Sequence, residues 1–454
     1  MKILIITTCY PPDTAIAAVR PYMFAKYLTQ YGHDVTVLRS GILQRSADRS
    51  FAGHQGIRVI TYLGENSLAE RFERGESDFL DHKTQSGESR ISFLPEKIRK
   101  PLAKAFHTLT APYDFYQWLK VTYIDGRVVP MKKAIDAMAH ESFDVVFSTY
   151  GAVENIFGGE YAAEVFGAKW FMDFRDPIEI HSPNAFGVPF LKRIQRNAVR
   201  KSDVCTAVSD GFAKHLSDQA GGKKVHTLYN GYDLEITENL QEAAVEEGLS
   251  LCYTGQMYGG RFDESAMFRD ASPLFRALRE LSDAGKIDPK KVSVHYAGPN
   301  AELLQKQAGK YGLEDIVKDH GYLGREDVAR LQRSTDIYLV MSWNTRKLKG
   351  ALPGKLYEGI RAGKPILSLV DGEIPDSELY LINQKYNYGF CYESCREREQ
   401  FTALRDWLEN AYQHKASGKK IPNEANPGLV TDFRYDVLSR KMEKLCLDML
   451  EEKS

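Results

Sequence analysis

The sequence predicts an α/β protein built as two doubly wound, Rossmann-like domains. Three observations predict it. Apolar runs of strand length recur in both halves, with stretches of helical periodicity between them. Polar, Pro- and Gly-containing loops follow many of the strand-like runs. The 454 residues are enough for two domains, each with its own core. The charge balance narrows the function classes. A net charge of −1 argues against a nucleic-acid binder.

In order, Lys2–Thr8 reads as a buried parallel strand, and Arg20–Tyr31 as an amphipathic helix ended by Gly32. Asp34–Leu38 is the next strand, which completes a βαβ unit. The loop after the first strand, Cys9-Tyr10-Pro11-Pro12-Asp13, lacks a G-x-G-x-x-G fingerprint, so no dinucleotide site is read there. Arg58–Leu63 is a third strand. Glu65–Arg90 is charged and reads as an exposed loop. Ile91–Tyr123 mixes Lys97, Arg99, Lys100 and Lys104 with Phe106, Tyr113, Phe115, Tyr116, Trp118 and Tyr123. This stretch has two readings: a helix packing its aromatics inward, or an amphipathic face that meets a membrane. Further strands are read at Phe143–Tyr150, Lys169–Phe174 and Val204–Asp210, with Gly158-Gly159 in or near a helix start and Ser209 or Asp210 as a helix cap. Val225–Asp233 closes the first half.

The acidic stretch 235–249 reads as a linker. Leu249–Thr254, Val292–Gly298 and a strand within Ile316–Gly324 open the second half. A helix at Glu326–Arg333 follows. Beyond Val370 polar turns and helices are expected, among them Phe401–Tyr412 and a terminal helix over Asp432–Leu450. The division is thus 1–235, 236–425 and 426–454. Six scattered cysteines form no metal set and suit a reducing compartment. The apolar core of the N-terminus is too short for a signal peptide, and no run reaches transmembrane length. The expected setting is cytoplasmic, with any membrane contact peripheral, through 91–123.

The most informative segment is Gly350–Ile366. The strand Asp336–Ser342 precedes it and the strand Pro365–Val370 ends it. Pro353 suits a helix start, and Gly363 followed by Pro365 suits its end. A helix start at the carboxyl edge of a parallel strand favours an anion. Lys355 is a cation at the end of the helix that disfavours it, unless an anion sits there. Glu358 shares its face, so an ordinary i, i+3 ion pair is the competing reading.

This segment resembles the donor-binding helix of family 4 (group 1) glycosyltransferases, whose architecture is the GT-B fold, with two Rossmann-like domains facing a central cleft. The resemblance spans nearly the whole chain and is strongest from Leu251 to Val370. Its implications are residue by residue. Glu358 falls on the second of two Glu separated by seven residues, which holds the donor ribose. Gly350 falls on the first, so that carboxylate is absent. After Gly255, Gln256 falls on an Arg and Arg261 on a Lys that bind the donor pyrophosphate. Tyr322 and Leu323 fall where the base is held. Donor binding is thus expected at Gly255, Gln256, Arg261, Tyr322, Leu323, Pro353, Gly354, Lys355 and Glu358. Asp173, Arg175 and Asp176 lie where related enzymes hold the sugar and acceptor, and two carboxylates flanking an arginine suit hydroxyl orientation or proton acceptance. The competing reading is a self-satisfied Asp–Arg turn; His181 and Asp13 are weaker candidates.

The resemblance implies a retaining hexosyltransferase that uses a nucleotide-diphosphate sugar and a glycan or lipid-linked acceptor in surface polysaccharide synthesis. It implies no cofactor and no metal, with Arg261 and Lys355 stabilising the leaving phosphate. A nucleotide-sugar 2-epimerase-like isomerase and a non-catalytic nucleotide-sugar binder are the alternatives.

Overall fold

The computed structural model describes residues 1–13, 15–41, 56–63, 108–233, 247–257, 269–346 and 350–452. The expected exposed loop at 65–90, the basic run from Lys97 to Lys104 with Phe106, most of the linker and Arg261 lie outside the described residues. The chain forms two compact units. The first comprises residues 1–208, 213–228 and 439–454, and the second 209–212 and 229–438.

In the first unit the strands are β1 (Lys2–Thr7), β2 (Asp34–Arg39), β3 (Ile57–Thr61), β4 (Val145–Tyr150), β5 (Lys169–Phe174), β6 (Val204–Ala207) and β7 (His226–Thr227). They pair in parallel, in the order β3-β2-β1-β4-β5-β6-β7. Order reverses between β1 and β4, which makes their carboxyl ends the switch point where open α/β sheets bind ligands. Ile3, Leu4, Ile5 and Ile6 are all fully buried, as expected of a central strand covered on both faces. Gly158 and Gly159 lie in the helix Glu154–Phe166, close to its start. A Cβ on Gly159 would overlap the Ser148 hydroxyl, so the missing side chain lets this helix close on the sheet. Ser209 does cap the following helix, its Oγ accepting from the Phe212 N–H at 3.2 Å.

Residues 108–117 are helical and run into a π-helical segment, Trp118–Val128. The described aromatics of this stretch divide. Phe115 and Tyr123 are buried, Trp118 is half-buried, and Tyr113 and Tyr116 are exposed. A buried ion pair at 2.7 Å, Arg127 to Glu154, pins the π-segment to the helix after β4. The terminal helix Tyr435–Glu451 joins the first unit from Ser439, where Glu443 accepts from or pairs with His33 Nε2 at 2.7 Å.

In the second unit β8 (Leu249–Thr254), β9 (Val292–Ala297), β10 (Val317–Asp319), β11 (Ile337–Asn344), β12 (Ile366–Gly372) and β13 (Gly389–Glu393) are also parallel, in the order β10-β9-β8-β11-β12-β13. The switch point here lies between β8 and β11. One face of the sheet packs Leu251, Val294, Leu339 and Leu367 with Phe275 and Leu404; the other packs Tyr338, Val340 and Ile366 with Leu356 and Ile360. β13 corrects the expectation of only turns and helices beyond Val370. Its five residues begin at a glycine and end at a glutamate, so periodicity alone does not mark it; pairing with β12 from Ile366↔Gly389 to Val370↔Glu393 makes it a strand. The compact division falls at 228 and 438 rather than at 235 and 426. The Tyr232 N–H donates to Phe433 O at 3.0 Å, and Tyr435 N–H to Tyr232 O at 3.1 Å, which ties Tyr232 to the later chain.

Candidate functional site

The second unit gathers charged groups at its switch point. The helix Lys355–Ala362 starts after Gly354 and ends at Gly363, whose φ of +68° is the left-handed conformation expected there. Its apolar face, Leu356, Tyr357 and Ile360, is buried, which leaves Lys355 and Glu358 on the half-exposed side. Lys355 Nζ donates to Glu358 Oε1 at 2.8 Å. The other carboxylate oxygen lies 2.8 Å from Gln332 Nε2, 3.1 Å from the Tyr338 hydroxyl and 3.2 Å from Thr254 Oγ1. Arg361 donates to Gln332 Oε1 at 3.1 Å and so turns the amide nitrogen toward Glu358. Burial, then the charge of Glu358, pushes the Tyr338 phenol well up, so it stays a donor. The ion pair read from spacing is therefore real, but it is one contact in a network that fixes Glu358 from β8, β11 and the helix Arg325–Ser334.

Gly255 ends β8 with φ +144°. A Cβ there would meet Lys355 Cε at 2.8 Å, Tyr253 OH at 3.5 Å and Lys355 Nζ at 3.6 Å. Only a glycine lets the lysine lie across this backbone. Next to Gly255 stands Arg269, which sequence reasoning missed. Its Nη1 donates to the Tyr253 hydroxyl and, at 2.8 Å, to Gln256 O. It is buried, and burial lowers its pKa to about 10, offset by the hydroxyls of Tyr296 and Tyr338. Lys355 and Arg269 thus both lie near one glycine at the end of the central strand. A doubly charged anion at that point would relieve both cations. The Gln256 side chain is exposed.

Three loop ends are stitched side by side. Gly255 N–H donates to Ala297 O at 2.8 Å, and Gly298 N–H to Gly321 O at 2.9 Å. Tyr322 follows and is 87% exposed, a free aromatic face at the same carboxyl edge, while Leu323 is half-buried. Pro353 and Gly354 precede the helix, where Leu356 N–H bonds back to Pro353 O and leaves the N–H groups of Gly354 and Lys355 outside that bonding. Gly350 has φ +79°, and a Cβ on it would meet Phe212 N at 2.8 Å and Ser209 Oγ at 2.9 Å. The backbone there has no room for the carboxylate the resemblance would place at 350.

In the first unit the expected trio separates. Asp173 is fully buried and holds Arg20, at 2.8 and 3.0 Å, with the Thr149 and Thr206 hydroxyls at 2.8 Å each. Burial pushes its pKa up, but the charge and hydrogen bonds of Arg20 and then the two threonines outweigh it and hold the carboxyl low. With these donors and no exposure, Asp173 anchors the sheet and does not meet a substrate hydroxyl, correcting the expectation. The self-satisfied Asp–Arg pair exists, but its arginine is Arg20. Arg175 instead donates to the carbonyls of Tyr150 and Ala17, at 3.0 and 2.6 Å, joining the loops after β4 and β1. Asp176 is exposed. Asp13 is buried and caps its own turn through the Ala15 N–H at 2.9 Å. His181 lies in the 3-10 turn Ile178–His181. Burial raises the Cys9 thiol to about 12, so it is no nucleophile.

Residues 271–423 match the model of the family described as glycosyl transferases group 1. Among solved structures, Anabaena Alr3699/HepE in complex with UDP superposes with a TM-score of 0.56 at 14% identity, over 99% of this chain and 100% of that one. Sucrose-phosphate synthase from Thermosynechococcus elongatus gives 0.54 at 12%, over 100% of both chains. The lipopolysaccharide outer core galactosyltransferase WaaB, in its apo form, gives 0.52 at 13%, over 100% of both. None of the curated proteins compared matches this chain. At such identities the likeness establishes the fold: two Rossmann-like units of the GT-B kind.

Proposed function

We propose, from the premise that the chain carries a group 1 glycosyltransferase domain over residues 271–423, that it moves a hexose from a nucleotide diphosphate to a hydroxyl of a glycan or lipid-linked acceptor. The observation that carries this reading is the pair Lys355 and Arg269 near Gly255, with a helix start beside them. The donor diphosphate sits there, Glu358 takes the ribose hydroxyls, and Tyr322 covers the base. The Anabaena relative's complex with UDP favours a uridine nucleotide.

In the reaction the acceptor oxygen bonds to the anomeric carbon as the bond from that carbon to the phosphate oxygen breaks. The diphosphate leaves with the electron pair, from the same face, so configuration is retained. Lys355, Arg269 and the N–H groups at the helix start hold the growing negative charge, the part a metal plays elsewhere. Arg261, outside the described residues, keeps the phosphate role that the resemblance gives it. Asp176, the exposed carboxylate after β5, is the group we assign to the acceptor's proton. The six unpaired cysteines fit a reducing, cytoplasmic setting, and the reading of the product as surface polysaccharide rests on the family resemblance.

A non-catalytic nucleotide-sugar binder is the second reading, favoured by Gly350 and Gln256. One experiment separates them. A thermal-shift screen over uridine, guanosine and adenosine diphosphates and their sugars finds the donor. Product analysis with that donor and glycan or lipid-extract acceptors follows. No shift with any nucleotide sinks the site; a shift without transfer to any acceptor leaves the binder.

A further inference from the structure

Glu358, assigned above to the ribose hydroxyls, has little acceptor capacity left. Its Oε2 meets the Gln332 amide nitrogen at 2.8 Å, the Tyr338 hydroxyl at 3.1 Å and Thr254 Oγ1 at 3.2 Å. Gln332 is 1% exposed, and Arg361, which can only donate, holds the amide oxygen and so turns the nitrogen to the carboxylate. That nitrogen also reaches Thr254 Oγ1 at 2.9 Å. Thr254 and Tyr338 touch each other as well, at 2.9 Å. Their two hydroxyl hydrogens serve three contacts, so at least one of them points at Oε2. With the Gln332 N–H this makes two donors or more, and both lone pairs of Oε2 are taken.

Oε1 differs. Among the described residues its one donor is Lys355 Nζ, at 2.8 Å. One lone pair of Glu358 is therefore left for a ligand, while a ribose presents two hydroxyls. The Lys355 and Glu358 side chains are 24% and 21% exposed, so this half of the network, unlike Gln332, is open to exchange. The ammonium also stands near a second partner position. Its Nζ lies 3.6 Å from the point that a Cβ on Gly255 would occupy. Rotation about the last bonds of the side chain carries it from the carboxylate to a phosphate seated on that glycine.

We propose that Lys355 changes partner when the donor binds: it leaves Glu358 for the diphosphate, and the freed Oε1 accepts both ribose hydroxyls. This rests on the donor-site reading above and adds a specificity to it. Phosphate and ribose are read as one unit. A nucleoside without phosphates gives the ammonium nowhere to go. It either leaves one hydroxyl unmet or breaks the ion pair at its own cost. A diphosphate supplies the exchange. Lys355 thus selects nucleotides over nucleosides twice, by attracting the phosphate and by occupying the acceptor that the ribose needs.

The test compares dissociation constants of uridine and uridine diphosphate for wild type and Lys355→Met, which keeps the side-chain length and removes the charge. If guanosine or adenosine diphosphate is the one bound, its own nucleoside takes the place of uridine. Lys355→Met should bind the diphosphate at least about tenfold more weakly, the loss of one charge-assisted hydrogen bond. It should bind uridine roughly two- to fivefold more tightly, because the competing ion pair is gone and a partly exposed pair is worth no more than that. Lys355→Ala, a second uncharged variant, should give the same two signs. In a Glu358→Gln background the uridine gain should vanish. A lysine that serves the phosphate alone leaves uridine affinity unchanged, and one that only positions Glu358 weakens both ligands. Either result overturns the exchange, as does a uridine gain that survives Glu358→Gln. Failure of the donor reading looks different: wild type then binds no diphosphate of uridine, guanosine or adenosine, and the exchange falls with it.

Discussion

The two units share a topology, yet their switch points hold opposite electrostatics. In the first, Arg20 and Asp173 neutralise each other out of solvent, with every strong acceptor position on the carboxylate filled. In the second, Lys355 and Arg269 stand near the end of β8, and one carboxylate, Glu358, joins Lys355 to β8 and β11. The first arrangement is complete as it stands and holds strands together. The second sets two cations beside a backbone that comes close, and Lys355 and Glu358 keep partial exposure, which is what an anion needs. A charged cluster at a strand end thus points to a site only when solvent reaches it.

The comparison breaks most visibly if the buried pair is cut. Arg20→Ala leaves a carboxylate buried without its counter-ion, and about 3–5 kcal/mol of stability should be lost. Chemical denaturation would show it, while nucleotide affinity per folded molecule stays the same. The pH dependence follows from the lowered carboxyl of Asp173. A folded-state value below the unfolded one gives stability that is full above the ordinary aspartate range and is lost as pH falls through the folded value. Wild type should therefore lose stability steeply in acid, and Asp173→Asn should flatten that limb. A stable Arg20→Ala with impaired transfer would instead place the pair in the reaction.

Lys355→Ala and Arg269→Ala test the other side. Each should cost roughly 2–4 kcal/mol of transition-state stabilisation, read as kcat/KM. Lys355→Ala should lower Tm by no more than a surface change does, whereas Arg269 is buried and Arg269→Lys is the better control there. Wild-type kinetics in Lys355→Ala and Arg269→Lys alike would remove the phosphate site.

How much of this was legible in the sequence follows from distance along the chain. The strand–loop–helix–strand unit over 336–372 was legible because its signals are local: apolar runs, Pro353, Gly363 and Pro365. Lys355 and Glu358 were legible because three residues on a helix fix a face. Arg20 and Asp173 are 153 residues apart, and no spacing rule joins them; Arg175, adjacent in sequence, was the natural but wrong partner. Arg269 lies 13 residues beyond the Gln256 carbonyl it binds, and Arg261, nearer by counting, drew the assignment. Gln332 sits in a polar helix where nothing marks it as buried. Local pattern sets the elements, while the network around a site depends on register between them.

Glu358→Gln should have a smaller effect than loss of either cation. The amide keeps the shape but is a weaker acceptor and frees Lys355, so donor affinity should fall by about 1–2 kcal/mol, the worth of a charged hydrogen bond. Isothermal titration with the preferred nucleotide measures it. Equal affinity would reduce Glu358 to the holder of Lys355.

The smallest expected effect is a gain. Gln256 stands where the resemblance places an arginine, and its side chain is exposed. Its carbonyl, not its amide, accepts from Arg269, so Gln256→Arg leaves that hydrogen bond in place. The new guanidinium would add charge beside Lys355 and Arg269. Repulsion among three cations opposes it, but in solvent that repulsion is screened, and an exposed substitution changes stability by no more than about 0.5 kcal/mol. With a diphosphate bound, the added charge-assisted contact should outweigh the repulsion. Affinity should then rise by a few fold at low salt, under about 1 kcal/mol, and the gain should fade as salt increases. The same substitution should do little for a nucleoside without phosphates. If diphosphate and nucleoside affinities move together, or neither moves at low salt, position 256 lies off the phosphate and the cations that meet it are Lys355 and Arg269 alone.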